Sequence, residues 1–250
     1  MAKASQPGRT KTRLVPPLSF AEAAEFNTAF LQDIADNLRA ASAQAPIESY
    51  MAFGPPGSEP FFQTILPPEI GLIEIWLPHF GDCLLAAIRA LLGRGYGAAV
   101  VLNSDSPTLP TSLLAGTARL LAEPGDRAVL GPASDGGYYL LGLKQAHARM
   151  FEDIAWSTDR VAAQTIERAR EIGLPLHVLP TWYDVDDIEA LRRLEGEVLR
   201  RRSPCDTLEP YAAGRTAALL RSLLTRSDLA ARLGAAQPPP AKGLHHVATA

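Results

Sequence analysis

The sequence predicts an α/β fold of three layers, in which helices cover both faces of a mostly parallel sheet. Segments with strand signals alternate with segments with helix signals, which is the pattern of βαβ units. The apolar, valine-containing run at residues 98–102 is typical of a parallel strand buried on both faces. Ser19 and Glu22 form the Ser-x-x-Glu pattern of a capping box and predict the start of a long Ala- and Leu-rich helix.

The remaining elements follow from local periodicity and from Gly and Pro punctuation. Strands are predicted at residues 47–53, 70–76, 98–102, 128–131, 138–143 and 176–179. Helices are predicted from residue 20 to about 41, then at residues 84–92, 113–121 and 161–172, with one or two more between residues 214 and 233. Residues 54–60 are predicted to form a loop. The segment 138–143 is compatible with a parallel or an antiparallel strand.

Composition limits the class of protein. A chain of 250 residues with 47% hydrophobic residues can bury the core of an α/β domain, and no run approaches the roughly 18 apolar residues of a membrane span. A formal net charge of −3 argues against a nucleic-acid coat. Cys83 and Cys205 have no metal-type spacing, and the amino terminus lacks an apolar signal core. These features predict a cytoplasmic protein that binds neither nucleic acid nor membrane; the oligomeric state stays open.

The chain divides into one large domain and a tail. Residues 1–200 are predicted to form that domain, and residues 201–236, which are rich in Arg and Ala, a helical extension of it. Residues 237–250 contain three prolines and then His245 and His246, and are predicted to be a loose tail without a functional role.

The most informative polar residue is Asp105, because it follows the buried strand at residues 98–102. In open α/β sheets, ligands bind in the crevice beyond the carboxyl ends of the strands. A carboxylate there suits Mg²⁺ or Mn²⁺, which take oxygen ligands and commonly bridge to phosphate. The alternative is a plain turn, since Ser-Asp-Ser-Pro is also ordinary turn chemistry.

A basic segment just before the capped helix predicts a phosphate-binding loop. Lys3, Arg9, Lys11 and Arg13 fall within thirteen residues, interleaved with Pro7 and Gly8. Cations near a helix N-terminus are well placed to bind phosphate. The alternative is that these basic side chains only keep the chain terminus in solvent. The Walker pattern is absent from the sequence.

Five motifs together resemble a known group of enzymes. In order they are KASQPGRTKTRL, SDSPTLP, GPASDGGYYLLGL, WST and DVDDIEAL, spread over about residues 2–194. The set resembles bacterial transferases of the glycosyltransferase-A fold, of the radical-SAM/selenodomain-associated type. It is also similar to 2-phospho-L-lactate guanylyltransferase and, more distantly, to molybdenum-cofactor nucleotidyltransferases.

The resemblance implies a role for each motif. Asp105 would bind the metal, with Asp184 or Asp186 as a second contact. Lys3, Arg9, Lys11 and Arg13 would hold the phosphates of a nucleotide or nucleotide-sugar donor. Asp135, Gly136 and Gly137 would line the side of a small-molecule acceptor, with Asp135 as the best available base for its hydroxyl group.

Local alternatives remain for four of these residues. Asp135 and the two glycines also fit a tight turn, and Asp186 begins an Asp-Asp-Ile-Glu pattern that could simply cap a helix. Asp184 is therefore the preferred second metal contact. Trp156, Trp182 and Tyr183 could stack on a base or sugar, although burial is the commoner fate of large aromatic side chains.

The sequence departs from its relatives in two places. The relatives begin with a full apolar strand before the basic loop, whereas this chain has only residues 1–4; either a short strand suffices, or residues upstream of Met1 complete it. Cys83 stands near a position where the relatives carry an arginine.

The expected function is a metal-dependent transferase with an activated nucleotide donor. Glycosyl transfer from a nucleotide-sugar is favoured because no glycine-rich triphosphate loop is present. Nucleotidyl transfer with release of pyrophosphate is the alternative, favoured by the basic loop. A non-catalytic nucleotide-binding domain is the third reading.

Overall fold

The computed structural model describes residues 1–200 and 208–235. The tail expected at residues 237–250, with His245 and His246, and Cys205 lie outside the described residues. Within the described ranges, no helix is both long and apolar enough to cross a bilayer.

Helices and strands alternate through most of the chain. The helices are α1 (Phe20–Ser42), α2 (Glu59–Ile65), α3 (Phe80–Leu92), α4 (Thr111–Ala122), α5 (Val161–Glu171), α6 (Ile188–Arg200), α7 (Gly214–Arg226) and α8 (Leu229–Ala235). The strands are β1 (Tyr50–Phe53), β2 (Gly71–Glu74), β3 (Ala99–Leu102), β4 (Ala128–Pro132), β5 (Tyr138–Leu143) and β6 (Leu176–Val178). Each predicted strand is present, with ends shifted by a few residues.

Helix α2 corrects one expectation, because residues 54–60 were predicted to be a loop. Pro60 lies in the first turn of α2, where a missing N–H removes no intrahelical hydrogen bond. Phe62 then anchors the helix, since its ring is fully buried 5.0 Å from the ring of Phe53. Pro60, a residue type that breaks helix interiors, therefore lies at the start of a helix.

The strands form two hydrogen-bonded groups in the described residues. Strand β1 pairs with β2 in parallel, and the second group has the order β3-β5-β4-β6. Strand β5 is antiparallel to both β3 and β4, whereas β4 and β6 are parallel. The α/β fold class is therefore confirmed, and the direction that the sequence left open for residues 138–143 is antiparallel.

Helix α1 organises the packing on one side of the sheet. Its capping box is complete: the Ser19 hydroxyl accepts a hydrogen bond from the Glu22 N–H, and the Glu22 carboxylate accepts one from the Ser19 N–H. Arg232 of α8 also donates to Glu22 at 2.7 Å, and these contacts, the arginine first, lower the pKa of Glu22 to about 2. The start of α1 is thereby tied to the last described helix.

Replacing the cap residue should loosen this helix. We expect Ser19→Ala to lower the free energy of unfolding by about 1 kcal/mol, because an N–H of the first turn loses its partner. That corresponds to a drop in Tm of roughly 2–4 °C for a domain of this size. Ser42→Ala, at the exposed last turn of α1, is the matched control. Equal melting of the two variants in calorimetry would contradict this role for the cap.

Candidate active site

The basic segment folds as a loop that is fixed to helix α1. The Thr10 side chain both accepts from the Gln6 N–H and donates to the Gln6 carbonyl, which closes the loop on itself. The Asn27 amide of α1 donates to the Ser5 hydroxyl at 2.8 Å and to the Lys3 carbonyl at 3.3 Å. The amino end of the loop is therefore held against α1.

Asp105 leaves the carboxyl end of β3 in a segment that is joined to the segment before α6. The Val185 N–H donates to the Asp105 carbonyl at 2.8 Å, and the Ser106 hydroxyl donates to the Tyr183 carbonyl at 2.9 Å. Ser106 and Tyr183 are both buried. These bonds fix the position of Asp105 relative to Asp184 and Asp186, as the sequence predicted for an edge of the sheet where strands end.

Lys11 joins the three segments through an ion cluster. Its ammonium lies 2.6 Å from Asp105 Oδ1 and 2.9 Å from Asp186 Oδ1, and it donates to the Val185 carbonyl at 3.0 Å. The Lys11 side chain is only 5% exposed, whereas Asp105 and Asp186 are 31% and 35% exposed. Burial acts to lower the pKa of Lys11, but the two carboxylates outweigh burial and raise it.

A cleft of about 400 Å³ opens beside this cluster. All four predicted phosphate-binding residues line it, together with Asp105 and Asp186. Lys3 and Arg9 are exposed, and Arg13 is 66% exposed with only a long 3.6 Å contact to Asp186. Three cations are therefore directed to solvent at the cleft, whereas the fourth, Lys11, is held by carboxylates.

Asp184 and Asp135 do not line this cleft, but their charges act on each other. Burial raises the pKa of Asp184 to about 6, and the charges of Asp135, Asp186 and Asp105 add to the shift. No cation is among the causes of this shift. Asp184 is thus a partly buried carboxylate whose charged form is disfavoured by burial and by three neighbouring carboxylates.

Asp135 and its two glycines form the turn between β4 and β5. The Gly137 N–H donates to Asp135 Oδ1 at 2.8 Å, so that the aspartate closes its own turn. Gly136 has φ +91°, and a Cβ there would lie 2.1 Å from the Asp159 carbonyl oxygen. The local structure accounts for Gly136 without a ligand, and neither glycine lines the 400 Å³ cleft.

The helix-cap alternative for Asp186 is settled by its neighbour. Asp187 Oδ1 accepts a hydrogen bond from the Ala190 N–H at 2.9 Å and so caps α6. Asp186 is free for Lys11 and Arg13. The sequence pattern therefore indicated a helix cap correctly, but the capping residue is Asp187 rather than Asp186.

The oxygen-rich set fits a divalent cation of the Mg²⁺ type. Lys11 Nζ is itself a cation bound by two carboxylates and a carbonyl, which shows that a positive charge is stabilised at this point. In the described part of the chain, no three His, Cys, Asp or Glu side chains converge closely enough to hold a metal alone. Mg²⁺ does not need such a cage, because it commonly takes one or two carboxylates plus substrate phosphates and water.

Sequence reasoning missed several residues that border the cleft. Tyr138 lies there with a buried hydroxyl group that has no hydrogen-bond partner among residues 1–200 and 208–235, and Phe80 is half-exposed beside it. Trp156 packs edge-on against both rings, whereas Trp182 and Tyr183 are buried in the core. Trp76 is also exposed, and the Lys3 ammonium lies 5.9 Å from the centre of its ring. Two of these residues lie at the ends of predicted strands, Trp76 at the end of residues 70–76 and Tyr138 at the start of residues 138–143, and that position was the signal that could have found them.

Comparisons with known proteins agree with this fold. Residues 37–158 match a family described as an uncharacterized protein conserved in bacteria, DUF2064. A crystal structure from Desulfovibrio desulfuricans G20, provisionally described as a nucleotide-diphospho-sugar transferase, matches with a TM-score of 0.76 at 27% identity, covering 90% of this chain and 93% of that chain. The fold is that of a nucleotide-diphospho-sugar transferase.

Two other solved structures are more distant. The CTP complex of CMP:2-keto-3-deoxy-manno-octonic acid synthetase has a TM-score of 0.48 at 11% identity, with 69% of this chain and 88% of that chain covered. Rv0371c from Mycobacterium tuberculosis H37Rv has a TM-score of 0.41 at 15% identity, with 64% and 82% covered. No curated protein matches the sequence. The narrower resemblance to radical-SAM/selenodomain-associated transferases stays a prediction.

The raised pKa of Asp184 predicts a pH-dependent stability. Because the folded protein binds this proton more tightly than the unfolded chain, the free energy of unfolding should fall as pH rises from about 4 to about 6. Asp184→Asn should remove that loss, so that without added metal the variant is more stable than the parent at pH 7 by about 1–2 kcal/mol. Denaturant unfolding from pH 4 to pH 8 measures it, with the exposed Asp159→Asn as control. A variant that is less stable than the parent at pH 7 would refute the interpretation.

Proposed function

We propose that this protein is a metal-dependent transferase that uses an activated nucleotide donor, with glycosyl transfer from a nucleotide-sugar to a small acceptor as its reaction. The observation that carries the proposal is the cleft at the carboxyl end of β3, where exposed Lys3, Arg9 and Arg13 stand beside the Asp105–Lys11–Asp186 cluster. The similarity to the Desulfovibrio structure supports the same class of donor.

The distribution of charge supports a phosphate-bearing ligand. Arg and Lys side chains bind phosphate through charge-assisted hydrogen bonds, and those of Lys3 and Arg9 make no ion pair among the described residues. A diphosphate would therefore find donors at the cleft that no carboxylate already occupies. Lys11 would hold the carboxylates of Asp105 and Asp186 in place, and the donor would bind to the exposed cations.

Asp105 and Asp184 would hold the metal, with Asp186 beside them. A divalent ion there would stabilise the negative charge that builds up on the leaving diphosphate. The uncompensated charge around Asp184 supports this assignment, because a cation at that point would relieve it. The protein's own part is to fix these carboxylates through the Val185 and Ser106 hydrogen bonds.

Asp135 would lie on the acceptor side. One of its carboxylate oxygens accepts a hydrogen bond from the Gly137 N–H, which orients the carboxylate. The negative charge of Asp135 also helps to raise the pKa of Asp184. A carboxylate held in this way can accept the proton of an acceptor hydroxyl group during displacement. We therefore propose direct transfer to the acceptor with Asp135 as base.

Nucleotidyl transfer is the second candidate, because three solvent-directed cations at one cleft also suit a triphosphate. The two reactions differ in their products. Nucleotide-sugar donors would give free nucleoside diphosphate, whereas nucleoside triphosphates with a phosphorylated acceptor would give pyrophosphate. Incubation with panels of both donors, with phosphorus NMR to identify the products, separates the two reactions.

Removing the carboxylate at the end of β3 tests the shared chemistry. We expect Asp105→Asn to lower metal-dependent turnover at least about 100-fold, because charge stabilisation in the transition state is lost. Because the amide removes one of the two carboxylates that pair with the buried Lys11, we expect a lower Tm, and turnover is compared at a temperature well below the Tm of the variant. Asp187→Asn, at the α6 cap, is the matched control and should retain turnover. Unchanged turnover of Asp105→Asn across a Mg²⁺ titration would refute the metal role.

Removing two solvent-directed cations tests the phosphate cradle. The double variant Arg9→Ala/Arg13→Ala should weaken nucleotide affinity by roughly 100-fold, at about tenfold for each charge-assisted hydrogen bond. Its Tm should change little because both side chains are exposed. Lys11 is left in place because it holds the ion cluster together.

The matched control replaces two exposed arginines outside the cleft, Arg39 on α1 and Arg170 on α5. Calorimetric titration with a nucleoside diphosphate measures the affinity of each variant. If the two double variants bind the nucleotide equally well, the cradle is wrong.

A further inference from the structure

The link from β2 to the first residue of α3 carries exposed aromatic side chains. Five consecutive residues are exposed there, and all but His79 are apolar: Trp76, Leu77, Pro78, His79 and Phe80. Trp76 and Phe80 are each 50% exposed. An exposed apolar run of this length is unfavourable in water, and such a surface commonly marks a place that binds a ligand or a partner.

Trp76 stands in a fixed position next to the phosphate cleft. A Cβ atom at Gly54 would lie 2.3 Å from Trp76 Cε3, so the glycine after β1 lets the indole ring pack against the backbone there. The Lys3 ammonium lies 5.9 Å from the centre of the same indole, and Lys3 lines the 400 Å³ cleft. The ring is therefore held close to a cation that the proposed function assigns to a phosphate group.

Phe80 forms part of the cleft itself. Its ring centre lies 5.3 Å from that of Trp156, and the two rings meet edge-on at 83°. Trp156 contacts Tyr138, a second residue that lines the cleft, in a similar way at 6.4 Å. Edge-on packing is a favoured arrangement of aromatic rings. Phe80 is thus anchored by Trp156, although half of its surface remains exposed.

The neighbouring charges indicate what kind of molecule covers these rings. Lys3 and Arg9, at the same cleft, are exposed and make no ion pair among the described residues. A purely apolar ligand would leave these cations without a partner, and inorganic phosphate would leave the rings uncovered. A nucleotide supplies both parts, because its phosphates pair with basic side chains and its base has a flat face that stacks on aromatic rings.

Exposed aromatic and basic residues also occur together at membrane interfaces. A small molecule is favoured here, because Phe80 lines a concave space of about 400 Å³ and Trp76 is packed against Gly54. The ring surface is therefore continuous with a cleft of the size that ligands of this class occupy.

We propose that Trp76 and Phe80 form an aromatic platform for the nucleobase of the donor. The base would stack on this platform while the phosphates of the same molecule bind Lys3, Arg9 and Arg13. This inference rests on the proposed function, which supplies the class of donor, and adds the residues that recognise its base. Because stacking uses the face of a base, purine and pyrimidine nucleotides should both depend on the platform.

The test separates the contribution of the rings from that of the phosphates. Calorimetric titrations measure the affinity for guanosine diphosphate, uridine diphosphate and inorganic pyrophosphate, each with Mg²⁺ and below the Tm of every variant. Trp76→Leu/Phe80→Leu keeps apolar side chains but removes both rings, whereas Trp76→Phe/Phe80→Tyr keeps a ring at each position. Phe20→Leu is the matched control, because Phe20 is similarly exposed and does not line the cleft.

The ring-free variant should lose affinity for nucleotides alone. We expect it to bind both nucleoside diphosphates roughly 10- to 100-fold more weakly than the parent, since each base loses its stacking partner. Its affinity for pyrophosphate should be unchanged. The ring-retaining variant and Phe20→Leu should bind all three probes as the parent does.

Three results would overturn the inference. One is equal affinity of the ring-free variant and the parent for both nucleotides; if only the parent then binds vesicles of anionic phospholipid, the rings contact a membrane instead. Another is a parent that binds the nucleotides no more tightly than pyrophosphate. The third is an equal loss of pyrophosphate affinity in the ring-free variant, since the rings would then only support the shape of the cleft.

Failure of this inference is distinguishable from failure of the proposed function. If the Arg9→Ala/Arg13→Ala variant loses affinity for pyrophosphate but the ring-free variant binds nucleotides normally, the phosphate cradle stands and the platform is wrong. A parent that binds none of the three probes would contradict both.

Discussion

The site depends on one buried cation, the ammonium of Lys11 between Asp105 and Asp186. These residues come from the loop before α1, from the end of β3 and from the segment before α6, so that a single ion cluster holds three distant parts of the chain in register. A buried charge is stable only when it is paired and hydrogen-bonded, and Lys11 meets that condition with two carboxylates and the Val185 carbonyl. The exposed Lys3 and Arg9 at the cleft make no ion pair among the described residues.

The same cluster explains how a phosphate ligand and a metal ion could be accommodated together. Lys11 pairs with Asp105 and Asp186, whereas burial and the neighbouring carboxylates disfavour the charged form of Asp184. Lys3, Arg9 and Arg13 provide positive charge across the cleft. A ligand that carries several phosphate charges and a divalent cation would place its phosphates next to these basic side chains and its cation next to the carboxylates. We regard this complementarity as the central property of the site.

Local signals in the sequence were sufficient for much of this arrangement. The valine-containing run before Asp105 and the Ser19–Glu22 box each gave a correct element, because each depends on neighbours within a few residues. The basic segment before α1 lines the 400 Å³ cleft, and its binding of phosphate stays a prediction. The pairing of Lys11 with Asp186 could not be predicted, because it joins residues 175 positions apart and depends on the packing of the whole sheet. The sequence likewise could not distinguish Asp186 from Asp187 as the α6 cap, since a shift of one residue decides which carboxylate faces Lys11.

The most direct measurement is a crystal structure of the protein with Mn²⁺ and a nucleoside diphosphate, with anomalous scattering to locate the metal. The account predicts one Mn²⁺ peak per chain in contact with the Asp105 carboxylate, with the diphosphate between that ion and Arg9 or Arg13 in the 400 Å³ cleft. A diphosphate bound outside this cleft, or a bound diphosphate with no metal peak at Asp105, would contradict the account.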